Sequence, residues 1–404
     1  MDEAKKLLLE ALSCAVRGLT LAASETLDRN QRELCQLAME HYVLPLVANA
    51  LHVCEEGGGT RRWMEKQVKQ LVVAQAQRTA DFLLLLRELD RKGLHPIVVK
   101  GIVCRGLYPE PELRPSVDED LLVRPEEFAV FSAALEAEGF QKDKQDASIE
   151  RDYDVSFTHP GSHLCIELHT GLFPRDSEAF GSCADYFADV LDRTIDLPWE
   201  RITIRTLAPT DHLLFLICHA YKHLLHGGVG IRQLCDMALM AEKENEQIDW
   251  QYIRQACDEL NIAVLTAAMF RICEKHLGFD MPAAFADLEV DESDLLEDIL
   301  SGGLYGVVDI DRAHSSTMTL EAVSADRGNR RRRGALHSVF LPLEAMRGQY
   351  PYLRRYPWLL PAAWVQRVFH YLTRKDHPDP VNPARSVQIA RERIDLLRQY
   401  RVIR

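Results

Sequence analysis

Asp118, Glu119 and Asp120 stand in a row within RPSVDEDLLVRP, residues 114 to 125. Three acidic side chains heading an apolar, β-type run need an explanation, because a buried strand gains nothing from unpaired carboxylates. In an extended chain residues i and i+2 share a face about 7 Å apart, so Asp118 and Asp120 are neighbours and Glu119 points the other way. Two carboxylates that close repel each other unless a cation sits between them, and Mg²⁺ carrying phosphate oxygens is the usual guest. Against this, 61 of the 404 residues are acidic, so roughly nine such pairs arise by chance. For the pair alone, a solvated strand end is the competing account.

The surroundings bear on the choice. About twenty residues upstream, VVKG closes a strand and Gly101 opens the short helix IVCRGLY. A helix start preceded by glycine offers backbone N–H groups and the positive end of a dipole, and Lys100 adds a full charge, so the Lys100-Gly101 corner suits a triphosphate. Downstream, HLCIELH alternates: Leu164, Ile166 and Leu168 share one face, and Cys165, Glu167 and His169 the other. Glu167 is thus a third carboxylate at mid-strand, costly to bury unless paired or metal-bound.

Other candidates lie further along. His219, His223 and His226 fall at i, i+4 and i+7 on one helical face, followed by Arg232 and Asp236. The histidines read as a zinc site, as the lining of a cleft, or as a partly buried structural face; no H-E-x-x-H accompanies them. Arg232 and Asp236 read as an i, i+4 ion pair. The run Arg330 to Arg333 reads as a solvated loop or a phosphate contact. The aromatic stretch from Tyr350 to Trp364, punctuated by prolines, reads as a packed C-terminal cap. Cys104 and Cys165 lie near the acidic strand without a His base, which argues against a thiol nucleophile.

The elements that must position these residues suggest an α+β chain, a small mixed β-sheet core flanked by N-terminal and C-terminal helical regions. Residues 1–90 are periodic at helical spacing, broken by Gly57, Gly58 and Gly59 and stopped at Gly93. Residues 91–207 alternate strands and helices, with a turn at His159-Pro160-Gly161-Ser162 joining two strands. Residues 208–404 return to helix, with Thr210 as the expected N-cap of the helix that carries His219. The net charge of −13 repels polyanions, so a nucleic-acid partner is not expected without a local basic patch. Ten cysteines without a C-x-x-C pair suit a reducing compartment. No signal peptide and no apolar run of about 18 to 20 residues is present, so the expectation is a cytoplasmic protein without membrane contact.

The order of strand, glycine corner, short helix, D-x-D strand, hairpin and third carboxylate resembles the DNA polymerase β-type nucleotidyltransferase superfamily. More narrowly, the chain is similar to an uncharacterised bacterial nucleotidyltransferase family through Lys100-Gly101, Tyr108-Pro109, Arg114-Pro115-Ser116, Asp118 to Val123 and Glu167-Leu168-His169. The similarity extends to HAYKHLLHGGVGIRQLCD and FLPLEAMRGQYPYLRRYPWLLP, covering about residues 60 to 370. It implies an enzyme that moves an NMP from an NTP, with ATP expected, to a hydroxyl acceptor on a small molecule, peptide or protein, releasing pyrophosphate. Asp118, Asp120 and Glu167 would be the catalytic metal ligands for two Mg²⁺ ions. Lys100, Gly101, Arg114, Ser116, His219, His223 and Arg232 would bind the nucleotide. Two departures stand out. Ile102 replaces the usual Ser after the glycine, leaving Lys100 to serve the phosphates. Glu119 fills a slot that is ordinarily apolar, which requires an open face or neutralisation by Arg114 or Arg124. Both support the alternative of a nucleotide-binding regulatory or antitoxin-like protein that does not turn over. A γ-phosphoryl transferase finds no Walker A and no kinase motif set.

Overall fold

Ile97, Val98 and Val99 are β-branched and fully buried, which suits the middle of a sheet. They form β1 (Ile97–Val99), within a seven-stranded mixed sheet of order β3-β4-β5-β2-β1-β7-β6. The other strands are β2 (Asp118–Leu122), β3 (Gln141–Lys142), β4 (Asp154–Thr158), β5 (Cys165–His169), β6 (Thr194–Trp199) and β7 (Ile202–Leu207). β1 pairs antiparallel with β2 and parallel with β7, and β2 pairs parallel with β5. The computed structural model describes residues 1–22, 24–51, 59–144, 153–199, 202–303, 310–327, 343, 346, 350–373 and 383–404. The Arg330 to Arg333 run lies outside the described residues.

Helices flank this sheet, and the chain adopts the α+β class expected of it. They are α1 (Glu3–Val16), α2 (Glu25–Glu40), α3 (Leu44–Ala50), α4 (Gly59–Arg91), α5 (Gly101–Arg105), α6 (Phe128–Ala137), α7 (Pro209–His226), α8 (Ile231–Lys243), α9 (Trp250–Glu259), α10 (Ala263–Ile272), α11 (Ser293–Gly302), α12 (Ile310–Asp326), α13 (Leu360–Thr373) and α14 (Pro383–Gln399). Capping side chains mark three of the described starts: Asp2 accepts from the Lys5 N–H at 2.9 Å, Ser24 from that of Leu27 at 3.1 Å and Asp249 from that of Tyr252 at 2.9 Å. Thr210 is not the cap of α7. Pro209 occupies the first turn with Ala208 before it, a position that suits the fixed φ of proline. The Thr210 hydroxyl instead accepts from the Asp249 N–H at 2.9 Å.

The two sheet faces serve two cores. On one, Val98, Leu121, Val155, Phe157, Ile166 and Leu168 pack with Phe82 and Leu89 of α4, Ile102 of α5 and Phe131 and Leu135 of α6. On the other, Ile97, Val99 and Leu122 join the core of α7, α8 and α10. That second core also takes in Leu8 and Leu12 of α1, Val47 of α3 and Leu397 of α14, so helices from both ends of the chain share it. Ser13 donates to the Leu277 carbonyl at 2.9 Å, and Arg393 of α14 donates to the Leu224 carbonyl on α7.

Two strands escape sequence reading. β3 has only two residues, and β6 carries Asp196 and Pro198 at a sheet edge, where a missing N–H is tolerated. Tyr350 and Leu353 enter a small separate apolar cluster with Met346 and Ala363, whereas Trp358 of the same aromatic stretch is 73% exposed. The nine described cysteines are free thiols, and most are buried.

Candidate functional site

β2 and β5 run parallel in a register that sets Asp120 beside Glu167 and Leu122 beside His169. The period of two then sends Asp118, Asp120, Glu167 and His169 to the face that meets α7. They line a cavity of about 190 Å³ together with Lys100, Tyr153, Asp154, Phe215, His219, Lys222 and His223.

One atom each of Asp120, Glu167 and His169 lies within 4.8 Å of the others, close enough to share one cation. His169 Nε2 stands 2.9 Å from Asp120 Oδ1 and 3.4 Å from Glu167 Oε2. Burial alone would lower the His169 pKa, but its hydrogen bonds to the two carboxylates carry it up to about 9. Lys100 Nζ lies 3.1 Å from the other Asp120 oxygen. Burial pushes the Asp120 carboxyl up, and Lys100 with His169 outweighs it, holding the group well below the usual carboxylate range. Asp118 lines the same cavity but stands outside the three-residue group. Burial and the neighbouring Asp120 raise its pKa.

The predicted convergence of positions 118, 120 and 167 is therefore centred on 120 and 167, with His169 as the third close partner. A cation fits this site: among the lining residues four carboxylates, on Asp118, Asp120, Asp154 and Glu167, face three positive groups, the ammoniums of Lys100 and Lys222 and the His169 imidazolium, whose nitrogen is freed for a metal once its proton leaves. Oxygen donors of this kind suit Mg²⁺ or Mn²⁺, and an imidazole nitrogen widens the choice toward softer divalent ions.

Glu119 explains itself on the opposite face. It is 2% exposed, receives the Arg105 guanidinium, and accepts from the Ile102 N–H at 2.9 Å. Neither Arg114 nor Arg124 neutralises it; Arg105, one turn along α5, does. The glycine corner is thus tied to β2 through a carboxylate. The Lys100 N–H donates to His212 Nε2 at 3.2 Å, so two of the corner's N–H groups already have protein partners.

Besides Gly101, which does not line the cavity, three residues expected at the nucleotide stand elsewhere. Arg114 forms a buried two-point pair with Asp236 at 2.6 and 2.8 Å, and Tyr108 donates to the same carboxylate at 2.7 Å. That carboxylate, expected to pair with Arg232, is taken by Arg114. Arg232 donates to the Pro115 carbonyl, and the Ser116 hydroxyl is held by Arg105. None of Arg114, Ser116 and Arg232 lines the cavity. On α7, His219 and His223 do, with their Nε2 atoms 3.1 Å apart, whereas His226 turns to the Lys222 carbonyl. Burial, then Lys100, holds both cavity histidines well below their ordinary pKa.

Sequence reading also passed over Lys222, Tyr153 and Asp154. Lys222 donates to the Tyr153 hydroxyl at 2.7 Å and lies 5.3 Å from the centre of its ring. The signal was present in both elements: Lys222 is three residues after His219 on α7, and Asp154 and Ser156 alternate with buried Val155 and Phe157 on β4.

A family model described as an uncharacterised nucleotidyltransferase matches residues 28–278. No curated protein and no solved structure matches the chain.

Proposed function

The chain belongs to the uncharacterised nucleotidyltransferase family, and from that premise we propose that it moves an NMP from an NTP to a hydroxyl acceptor, releasing pyrophosphate, in the manner of the polymerase β-type superfamily. The observation that carries the reading is the meeting of Asp120, Glu167 and His169 in a cavity faced by lysines. Asp118, Asp120 and Glu167, with His169 beside them, are the residues that would hold divalent metal, two Mg²⁺ ions in the full form of the reading. Bound there, the metal supplies positive charge to the oxygens of the reacting phosphate.

The chain's own residues do the rest. The acceptor oxygen attacks the α-phosphorus in line with the departing pyrophosphate, and Glu167, partly exposed at the cavity, would take the hydroxyl proton. Lys100 spans Asp120 and His219, 3.1 and 3.2 Å from each, and balances charge as the nucleotide enters. Rigid placement on β2 and β5 supports catalysis through positioning and preorganised charge. ATP is the expected donor.

The closed glycine corner favours a second reading, a protein that binds nucleotide without transferring it. Incubation with α-labelled and γ-labelled ATP in parallel separates the two. Label retained from the α position on an acceptor establishes nucleotidyl transfer, label from γ would replace it with a kinase, and nucleotide binding with neither leaves the second reading.

A further inference from the structure

Resting on the reading of this cavity as a nucleotide site, we infer that the triphosphate is received by the α7 face, with Lys222, His219 and His223 as its phosphate-binding wall, and not by the glycine corner at residues 100–102.

The corner is built for an internal anion. Glu119 already accepts from the Ile102 N–H, and the Lys100 N–H is spent on His212. Gly101 has φ +30°, and a Cβ there would collide with the Glu119 carboxylate. A phosphate at this point would find these N–H groups already taken and the Glu119 carboxylate, paired with Arg105, filling the space it needs. α5 has only five residues, too few to build an appreciable dipole.

Across the cavity the chemistry is reversed. Lys222 carries its ammonium into the cavity from α7, steadied by the Tyr153 hydroxyl at 2.7 Å. One turn of the same helix brings His219 Nε2 within 3.1 Å of His223 Nε2 and 3.2 Å of Lys100 Nζ. The ammonium groups of Lys222 and Lys100 supply the charge and the neutral imidazoles beside them supply polar nitrogens, a wall that faces Asp120 and Glu167 and suits an anion between it and the carboxylates. The β- and γ-phosphates are the part of the substrate that needs this charge, and AMP lacks both. Tyr153 holds Lys222 and is a positioning residue.

The test is calorimetric titration of the full chain in Mg²⁺ with ATP, inorganic tripolyphosphate and AMP. Lys222→Gln and His223→Gln should each weaken ATP and tripolyphosphate by about tenfold or more while AMP changes little, and Lys222→Arg should retain most of the affinity. Thermal melting checks that the variants are folded. Unchanged ATP and tripolyphosphate affinity in both Gln variants, or equal loss in Lys222→Arg, would overturn the assignment while leaving the nucleotide site standing. A wild-type chain that binds neither ATP nor tripolyphosphate would remove the functional reading itself.

Discussion

At Asp120 the two sides of the cavity meet, one oxygen on Lys100 and the other on His169. Asp120→Asn keeps the shape and removes a charge that a divalent ion in this cavity would need. We expect Mn²⁺ affinity to fall on the order of 100-fold or more, read from the free-ion signal in electron paramagnetic resonance, with secondary structure unchanged. Unaltered affinity would move the metal away from β2. The strand period made it legible that 118 and 120 share a face of one strand and 167 and 169 a face of another; that the two faces coincide follows from the β2–β5 pairing, which the period does not encode. Arg105 was not legible, because its pairing with Glu119 joins a short helix to a strand, a contact that no periodicity encodes. Lys222 was passed over because a lysine on a helix is ordinarily a solvated charge, and only the fold shows that α7 closes over a cavity.

Among the elements, the β1–α5 corner concentrates conformational strain. Lys100 sits at φ 52°, ψ −121°, and Gly101 at φ +30°, a backbone that side chains with a Cβ adopt at a cost. Gly101→Ala adds a clash with Glu119 to that cost, and a loss of about 1–3 kcal/mol is expected in denaturant unfolding. A variant as stable as the parent would show that the corner relaxes freely. α7 supplies a pH dependence from the same contact. Burial lowers the pKa of His212 from 6.5 to about 4, so on acidification the unfolded chain takes the proton before the folded one does. The associated stability is fully present above pH 6.5 and is lost as pH falls from 6.5 through 4, about 3 kcal/mol over that window. Urea unfolding at pH 7 and pH 5 should show this slope in the parent and a flatter one in His212→Gln. The sheet strands around the site could be read from apolar alternation. β3 and β6 could not, one for its length and the other for an edge sequence broken by proline.

Across the whole molecule, Arg114 and Asp236 couple the loop entering β2 to α8, and so couple the sheet to the helical body. Both are nearly fully buried. Asp236→Asn leaves a guanidinium without its counter-charge, for which about 3–5 kcal/mol of destabilisation is expected. Metal affinity should survive wherever the variant remains folded, because neither residue lines the cavity. Loss of metal binding in folded Asp236→Asn would show that the coupling extends into the site. The division into two flanking helical regions and a central sheet follows the chain, yet the first and last helices were not legible as partners. Hydrophobic periodicity identifies an apolar face without naming what covers it, and here α1, α3 and α14 share the core that carries α7. During synthesis on the ribosome, residues 3–50 therefore emerge well before the segments near 277 and 393 that they and α7 require. The packing that seats α7, the helix bearing Lys222, is complete only once the segment near 393 has been made.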